Sequence, residues 1–227
     1  MSTLYIVATP IGNLEDITLR ALRVLEEVDY VLCEDTRVTR KLFSRYNLKT
    51  PTLSYHTHSS HKKEEKIIKL LEEGLNLALV TDAGTPAVSD PGAQLVNLAR
   101  QAGARVEVIP GASALTAALS VAGVSTSDFL FLGFLPHKKG RKTLFKEMVV
   151  SKRTVVFYES PHRILKTLES LGQALADNHT IYRMIVVARE LTKIYEEILS
   201  GTTSEIIEVL KGHKEKQKGE FVIIVTP

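Results

Sequence analysis

Residues 80–92 read VTDAGTPAVSDPG and follow directly on the apolar run LNLALV (75–80). The thirteen residues hold two Asp, two Gly and two Pro. A short apolar run bounded by turn residues reads as a buried strand. The Gly- and Pro-rich segment is its exit loop, leading through Ser89-Asp90-Pro91 into a helix. Pro91 is expected at the first helical position, behind a Ser or Asp cap. A strand, a stiff loop and a helix in that order are the first half of a parallel βα unit. In open α/β sheets such loops form the ligand crevice. The stretch carries neither G-x-G-x-x-G nor a Walker lysine, so it is not a standard phosphate cradle.

The same alternation extends in both directions. LYIVAT (4–9) ends at Pro10-Ile11-Gly12-Asn13, and Asp16 is expected to cap a helix through Leu19, Leu22 and Leu25. DYVLCE (29–34) precedes a basic helix, TRVTRKLFSRY; TLSY (52–55) precedes a helix over 62–73; RVEVIP (105–110) follows the helix that ends at Gly103. Short apolar strands without polar alternation point to a mostly parallel sheet covered on both faces. A small-residue helix, ALTAALSVAG, follows Gly111-Ala112-Ser113. The pattern then restarts with strands at 129–136, 154–159, 181–190 and 220–227, separated by helices near 141–149, 161–175 and 203–210. The expected division is 1–112 and 113–227, two α/β domains.

Bulk properties narrow the function classes. The 227 residues are 44% hydrophobic and 24% charged, as in ordinary globular proteins. No apolar run approaches the ~20 residues of a membrane span. The N-terminus lacks the basic and apolar regions of a signal peptide, so a mature, cytoplasmic protein without membrane contact is expected. A single cysteine, Cys33, rules out an intrachain disulfide and a multi-cysteine zinc site. The net charge of +3 leaves any nucleic-acid role to local basic patches.

Candidate sites gather at strand ends. ATPIGN (8–13), TDAGTPAVSDPG (81–92) and PGASA (110–114) are expected to converge on one sheet edge. There Gly admits close backbone approach and Pro holds a loop still before a ligand arrives. Asp82 also suits a purely local role in an Asx turn. In YESPHR (158–163), Glu159 suits a base or hydroxyl acceptor. His162 and Arg163, in the expected first turn of a helix, suit phosphate, or else an exposed basic pair. RELTK (189–193) puts Arg189, Glu190 and Lys193 at another strand end, with an internal ion pair as the plainer account. Between His137 and Arg153 stand seven Lys or Arg and one acid, Glu147. The loop PHKKGRK (136–142) reads as a phosphate-backbone contact or as a solvated basic loop. Arg37, Arg40, Lys41 and Arg45 extend the basic surface. His56, His58 and His61 fit no standard metal spacing and have no evident carboxylate partner, so no metal is expected. No G-x-S-x-G elbow marks a serine nucleophile.

Taken in order, ATPIGNLEDIT, EDTR (34–37), TDAGTPAVSDPG, IPGASA, FLGFLP, FYESPHR, ARELTK and GEFVIIV resemble the ribosomal-RNA branch of the tetrapyrrole methylase superfamily over residues 4–227. The resemblance implies a two-domain α/β fold with a mostly parallel N-terminal sheet and a mixed C-terminal sheet. It implies S-adenosyl-L-methionine held folded in the cleft between them, and a homodimer. It implies methylation of the ribose 2′-oxygen of a cytidine in the decoding region of 16S rRNA in the small ribosomal subunit. Carried over by position, the cofactor residues are Pro10, Asp82, Gly84, Thr85, Pro86, Val88, Ser113, Ala114, Tyr158 and Ala188. Thr85 stands where the superfamily's loop has Asp, which leaves open whether Asp82 replaces that carboxylate. Some relatives continue past the last core strand; if that segment grips the ribosome in them, a chain ending at Pro227 is expected to bind differently or more weakly.

A ribose hydroxyl is a poor nucleophile and calls for an acceptor within about 3 Å; the candidates in order are Glu159, Asp82 and Glu190. RNA contacts are expected from Arg37, Lys138, Lys139, Arg141, Lys142, His162, Arg163 and Lys193. The competing readings are a methyltransferase acting on a tetrapyrrole and an RNA-binding module that senses the cofactor without turnover.

Overall fold

The computed structural model describes residues 2–56, 61–90 and 92–227. The chain separates into two compact units, Met1–Ser113 and Ala114–Pro227.

The first unit is built on five strands: β1 (Thr3–Val7), β2 (Tyr30–Cys33), β3 (Thr52–Ser54), β4 (Leu77–Leu79) and β5 (Arg105–Ile109). They lie in the order β3-β2-β4-β1-β5, with every neighbouring pair parallel. Four helices cover them: α1 (Leu19–Glu27), α2 (Thr36–Tyr46), α3 (His61–Glu72) and α4 (Ala93–Gln101). Alternate strand residues feed two cores. Val7, Val31, Cys33, Ala78 and Val80 pack with Ala21, Val24 and Leu25 of α1 and Leu42 and Phe43 of α2. Leu4, Leu32, Leu77 and Leu79 pack with Ile67 and Leu71 of α3 and Leu95 and Ala99 of α4. Burial on both faces explains why these strands read as continuous apolar runs.

Two helix starts differ from expectation. Thr18, not Asp16, caps α1, accepting from the Ala21 N–H at 3.0 Å; Asp16 ends a 3-10 turn, Leu14–Asp16. Both residues are good caps, and only the backbone decides between them. Helix α4 has Gly92 at its N-cap with no side-chain cap hydrogen bond, so neither Ser89 nor Asp90 fills that role. Pro91 lies outside the described residues.

The second unit has a mixed sheet in the order β6-β7-β10-β8-β9. The strands are β6 (Phe129–Phe134), β7 (Thr154–Glu159), β8 (Ile185–Arg189), β9 (Glu197–Gly201) and β10 (Phe221–Val225). Only β6 and β7 pair in parallel; the other contacts are antiparallel. Strand β9 was not legible in the sequence, because EILSG is short, half-exposed and follows two charged turns. Helices α6 (Arg141–Val150), α7 (Ile164–Asp177) and α8 (Thr203–Gly212) share one core with Val155, Phe157, Ile185, Val187, Phe221, Ile223 and Val225. Phe157 is fully buried there, and truncating such a ring to Ala removes about 3–5 kcal/mol. Helix α5 (Ala114–Val121) touches β10, and its buried Ala118 and Leu119 stand outside that core.

Candidate functional site

Because β1, β2, β4 and β5 are parallel, their carboxyl ends open onto one edge of the first sheet. The loops there are stitched together. Thr9 and Gly84 exchange backbone hydrogen bonds at 2.9 and 3.1 Å. The Thr9 hydroxyl donates to the Thr81 carbonyl at 2.9 Å, and the Thr85 hydroxyl donates to the Ala112 carbonyl at 3.3 Å. Thus the three turn-rich segments at 8–13, 81–92 and 110–113 meet, as their positions after strands suggested. Pro10, Gly84 and Pro86 are buried within this junction, whereas Val88 is 41% exposed. Ala87 and Ser89 adopt left-handed φ angles of 67° and 63°, an uncommon conformation for residues other than Gly. Such backbone is held in place by its surroundings.

Carboxylates collect beside that junction. Asp82 Oδ1 accepts from the Asp35 N–H at 3.2 Å, tying the β4 loop to the start of α2. Burial pushes the Asp82 carboxyl up, with the charge of Asp35 adding to it against the Asp35 amide and Arg37. Burial raises Asp90 further, to about 6, assisted by the charges of Glu34 and Asp82 and opposed by a hydrogen bond from Thr81. Asp35 goes the other way: bonds from the Arg37 side chain and amide hold it down at about 2. Arg37 is exposed and spends its guanidinium on Asp35 at 2.6 Å. Asp35 and Asp90 were missed in the sequence. The signal was EDTR after β2, but it becomes informative only once β2 is known to neighbour β4.

In the second unit, register brings four motifs to one sheet edge. Phe221 opens β10 opposite both Glu159, the last residue of β7, and Arg189, the last of β8; Glu197 opens β9 opposite Arg189. Tyr158, Val222 and Ala188 form one row across β7, β10 and β8. Tyr158 also meets Phe131 and Phe134 edge-on, at centroid distances of 5.1 and 5.4 Å. Ala188 is buried, 1% exposed.

The two strand-end glutamates are committed to internal partners. Glu159 has 0% side-chain exposure. Its Oε1 forms an ion pair with Arg163 at 2.7 Å and accepts from the Ser160 N–H at 2.8 Å. Its Oε2 accepts from Arg141 at 3.1 Å and from the Thr167 hydroxyl at 2.6 Å. No lone pair is left facing solvent for a substrate hydroxyl, which corrects the expectation of Glu159 as base. The expectation of Arg141 and Arg163 as phosphate ligands is corrected by the same geometry, since both guanidinia face inward. Pro161, His162 and Arg163 form a turn, and α7 starts only at Ile164. His162 is exposed there, as are Lys138, Lys139 and Lys142 around the start of α6.

Glu190 Oε1 accepts from Lys193 Nζ at 2.7 Å and from the Glu220 N–H at 3.0 Å. Burial raises its carboxyl, but those two bonds, with the charges of Lys193 and Arg189, outweigh it and leave the group below its ordinary value. Lys193 also reaches Glu220 at 2.9 Å, so the ion-pair account of RELTK fits both residues better than roles as base and phosphate contact. Gly219 makes this possible: a Cβ there would stand 2.5 Å from the Glu190 carboxyl carbon.

His61 Nδ1 lies 3.7 Å from the buried Glu64 carboxylate, a neighbour the sequence reading overlooked; His58 lies outside the described residues. Among the described residues no group of three or more His, Cys, Asp or Glu is placed to hold a metal ion. No described helix is long and apolar enough to cross a membrane.

The tetrapyrrole (corrin/porphyrin) methylase family matches residues 3–207. The chain belongs to that family. Within it, the chain groups with proteins named ribosomal RNA small subunit methyltransferase I. The one from Thermotoga maritima is 45% identical over 100% of this chain and 99% of its own length. That of Neisseria meningitidis serogroup B is 46% identical over 99% of this chain and 76% of its own. Two solved structures share the fold at low identity. A cobalt precorrin-4 methyltransferase aligns with a TM-score of 0.69 at 20% identity, covering 99% of this chain and 94% of that one. The uroporphyrin-III-C-methyltransferase of Thermus thermophilus aligns with a TM-score of 0.67 at 21% identity, over 99% and 94%.

Proposed function

We propose that this tetrapyrrole methylase family member transfers a methyl group from S-adenosylmethionine to the ribose 2′-oxygen of a cytidine in the decoding region of 16S rRNA. It acts on the small ribosomal subunit, in the cytoplasm, as a homodimer. The observation that carries this reading is the full-length likeness, at 45%, to proteins named for small-subunit ribosomal RNA methylation.

The charge of the first unit's loop edge supports the cofactor. Asp82 lies within electrostatic reach of Asp35, Asp90 lies within reach of Glu34 and Asp82, and Arg37 is already paired. A phosphate would be repelled, whereas a cationic sulfonium with an ammonium group suits the site. Pro10, Gly84, Thr85, Pro86, Val88 and Ser113 are the residues of the first unit assigned to hold it. The cofactor supplies an electrophilic methyl carbon, so the protein's task is to align an oxygen with it and to accept that oxygen's proton.

Asp82 is the acceptor this geometry favours. It is half-buried, its carboxyl is raised, and only one of its oxygens is bonded to backbone. Lys138, Lys139, Lys142 and His162 are assigned to RNA phosphates.

The test is incubation with radiolabelled S-adenosylmethionine and three acceptors: free small subunits, naked 16S rRNA and a porphyrinoid. Label in subunit RNA, lost when the target ribose is 2′-deoxy, supports the reading. Label in the porphyrinoid alone overturns it, and no transfer at all favours a cofactor-sensing RNA-binding module.

A further inference from the structure

We propose that Glu159 is a positioning residue for RNA capture: through Arg141 and Arg163 its carboxylate fixes the root of the basic loop and so sets where Lys138, Lys139 and Lys142 meet phosphate. The inference rests on the assignment of those lysines to RNA.

The loop leaves the sheet at Leu135-Pro136 and re-enters structure at Arg141, the first residue of α6. Its entry and exit converge on one carboxylate. Arg163 donates to the Leu135 carbonyl at 2.9 Å and forms an ion pair with Glu159 Oε1 at 2.7 Å. Arg141 donates to the Pro136 carbonyl and to Glu159 Oε2, both at 3.1 Å, and to the Thr167 hydroxyl. Two guanidinium forks therefore bridge from Glu159 to successive carbonyls at the loop's entry, and Arg141 is itself the loop's exit. Arg141 further lies 5.2 Å from the Phe145 ring centroid, which fixes its plane.

Between these anchors residues 137–140 are exposed, and Lys142 projects from the first turn of α6. The lysines are thus free at their tips and held at their base. A loop closed at its base has less conformational freedom to lose when it binds, and that saving appears as affinity. Stability is a weaker explanation for the network, because buried ion pairs contribute little net stability over apolar packing. Orientation is what a planar guanidinium supplies when one prong meets the carboxylate and another a backbone carbonyl.

The experiment measures methyl transfer to intact small subunits by the full-length protein, with cofactor affinity measured separately by calorimetry. Four proteins are compared: wild type, Glu159→Gln, a triple variant (Lys138→Ala, Lys139→Ala, Lys142→Ala), and the two combined. Expected is a rise in KM for subunits of about tenfold in Glu159→Gln, the scale of a misplaced binding element. Its kcat and cofactor affinity should stay close to wild type. In the triple background Glu159→Gln should add almost nothing, because the groups it positions are gone. A drop in kcat of about a hundredfold at unchanged KM, the signature of a lost base, overturns the proposal. So does an effect that adds in full to the triple variant. A triple variant with wild-type KM overturns the RNA assignment of the loop and the inference with it, whereas a raised KM with full additivity sinks the inference alone. Should Glu159→Gln fail to fold, Arg141→Lys keeps the charge but loses the fork, and the same rise in KM and the same loss of effect in the triple background are expected.

Discussion

Thr9 and Gly84 form a two-bond antiparallel bridge, 2.9 Å from the Thr9 N–H to the Gly84 carbonyl and 3.1 Å in return. The bridge locks the loop after β1 to the loop after β4. Gly84 sits at φ 87°, and a Cβ there would stand 3.4 Å from Ile11 Cγ2. An L-residue in that conformation loses about 1–2 kcal/mol. Gly84→Ala is therefore expected to lower the unfolding free energy by that amount, read as a lower urea midpoint, and to weaken S-adenosylmethionine binding in parallel. Wild-type midpoint and affinity together would show that the bridge holds nothing the cofactor needs.

Asp90 gives a pH signature. Its carboxyl is raised from 3.8 to about 6 in the folded state. The folded protein then binds more protons at this group than the unfolded chain does, so stability falls as pH rises from about 4 to about 6, and the penalty persists above that. Asp90→Asn removes the titration. The stability of Asp90→Asn minus that of wild type is expected to grow in favour of the variant across that window and to level off near neutrality. Denaturant melts at half-unit pH steps measure it, and a difference that does not change with pH would place the raised carboxyl elsewhere.

Much of the fold was legible because the signals were local. LNLALV followed by two Gly–Pro-rich turns marks β4 and its loop whatever the rest of the chain does, and TRVTRKLFSRY is α2 residue for residue. What failed depended on partners distant in sequence. Glu159 reads as a free strand-end carboxylate until Arg141, eighteen residues away, and Arg163 are found on it. Asp35, Asp82 and Asp90 become one group only because β4 lies between β2 and β1, an order that chain sequence does not display. Strand β9 failed for the opposite reason: its residues are ordinary, and it is a strand because β8 offers an edge to pair with.

Arg189 is a second internal hub. Its guanidinium donates to the carbonyls of Lys218 at 2.8 Å, Tyr195 at 3.0 Å and Glu215 at 3.0 Å. It thereby joins the end of β8 to the loop before β9 and the loop before β10. Lysine keeps the charge but cannot span three diverging carbonyls. These bonds are only part-buried, so Arg189→Lys is expected to destabilise by about 1 kcal/mol, the net worth of a typical lost hydrogen bond. Urea unfolding measures this, and a loss below about 0.5 kcal/mol would mean that water replaces the guanidinium there.

Thr192 carries two local strains at once. It is β-branched yet sits at φ 66°, and its hydroxyl is a buried polar atom with no hydrogen-bond partner among the described residues. Its own N–H is well placed, donating to Glu196 at 2.5 Å, and the turn around it is fixed by the Lys193 N–H to the Glu190 carbonyl at 3.0 Å. The fold thus imposes a left-handed conformation on a residue poorly suited to it. Thr192→Gly removes the Cβ clash and the orphaned hydroxyl while leaving every backbone bond in place. It also frees the unfolded chain, which offsets part of the gain. The net expectation is a stabilisation of about 1 kcal/mol, read as a higher urea midpoint at unchanged slope. If the variant is instead less stable, the turn tolerates threonine without strain. If it is more stable but methylates small subunits more slowly, the strain at Thr192 serves the RELTK edge rather than the fold.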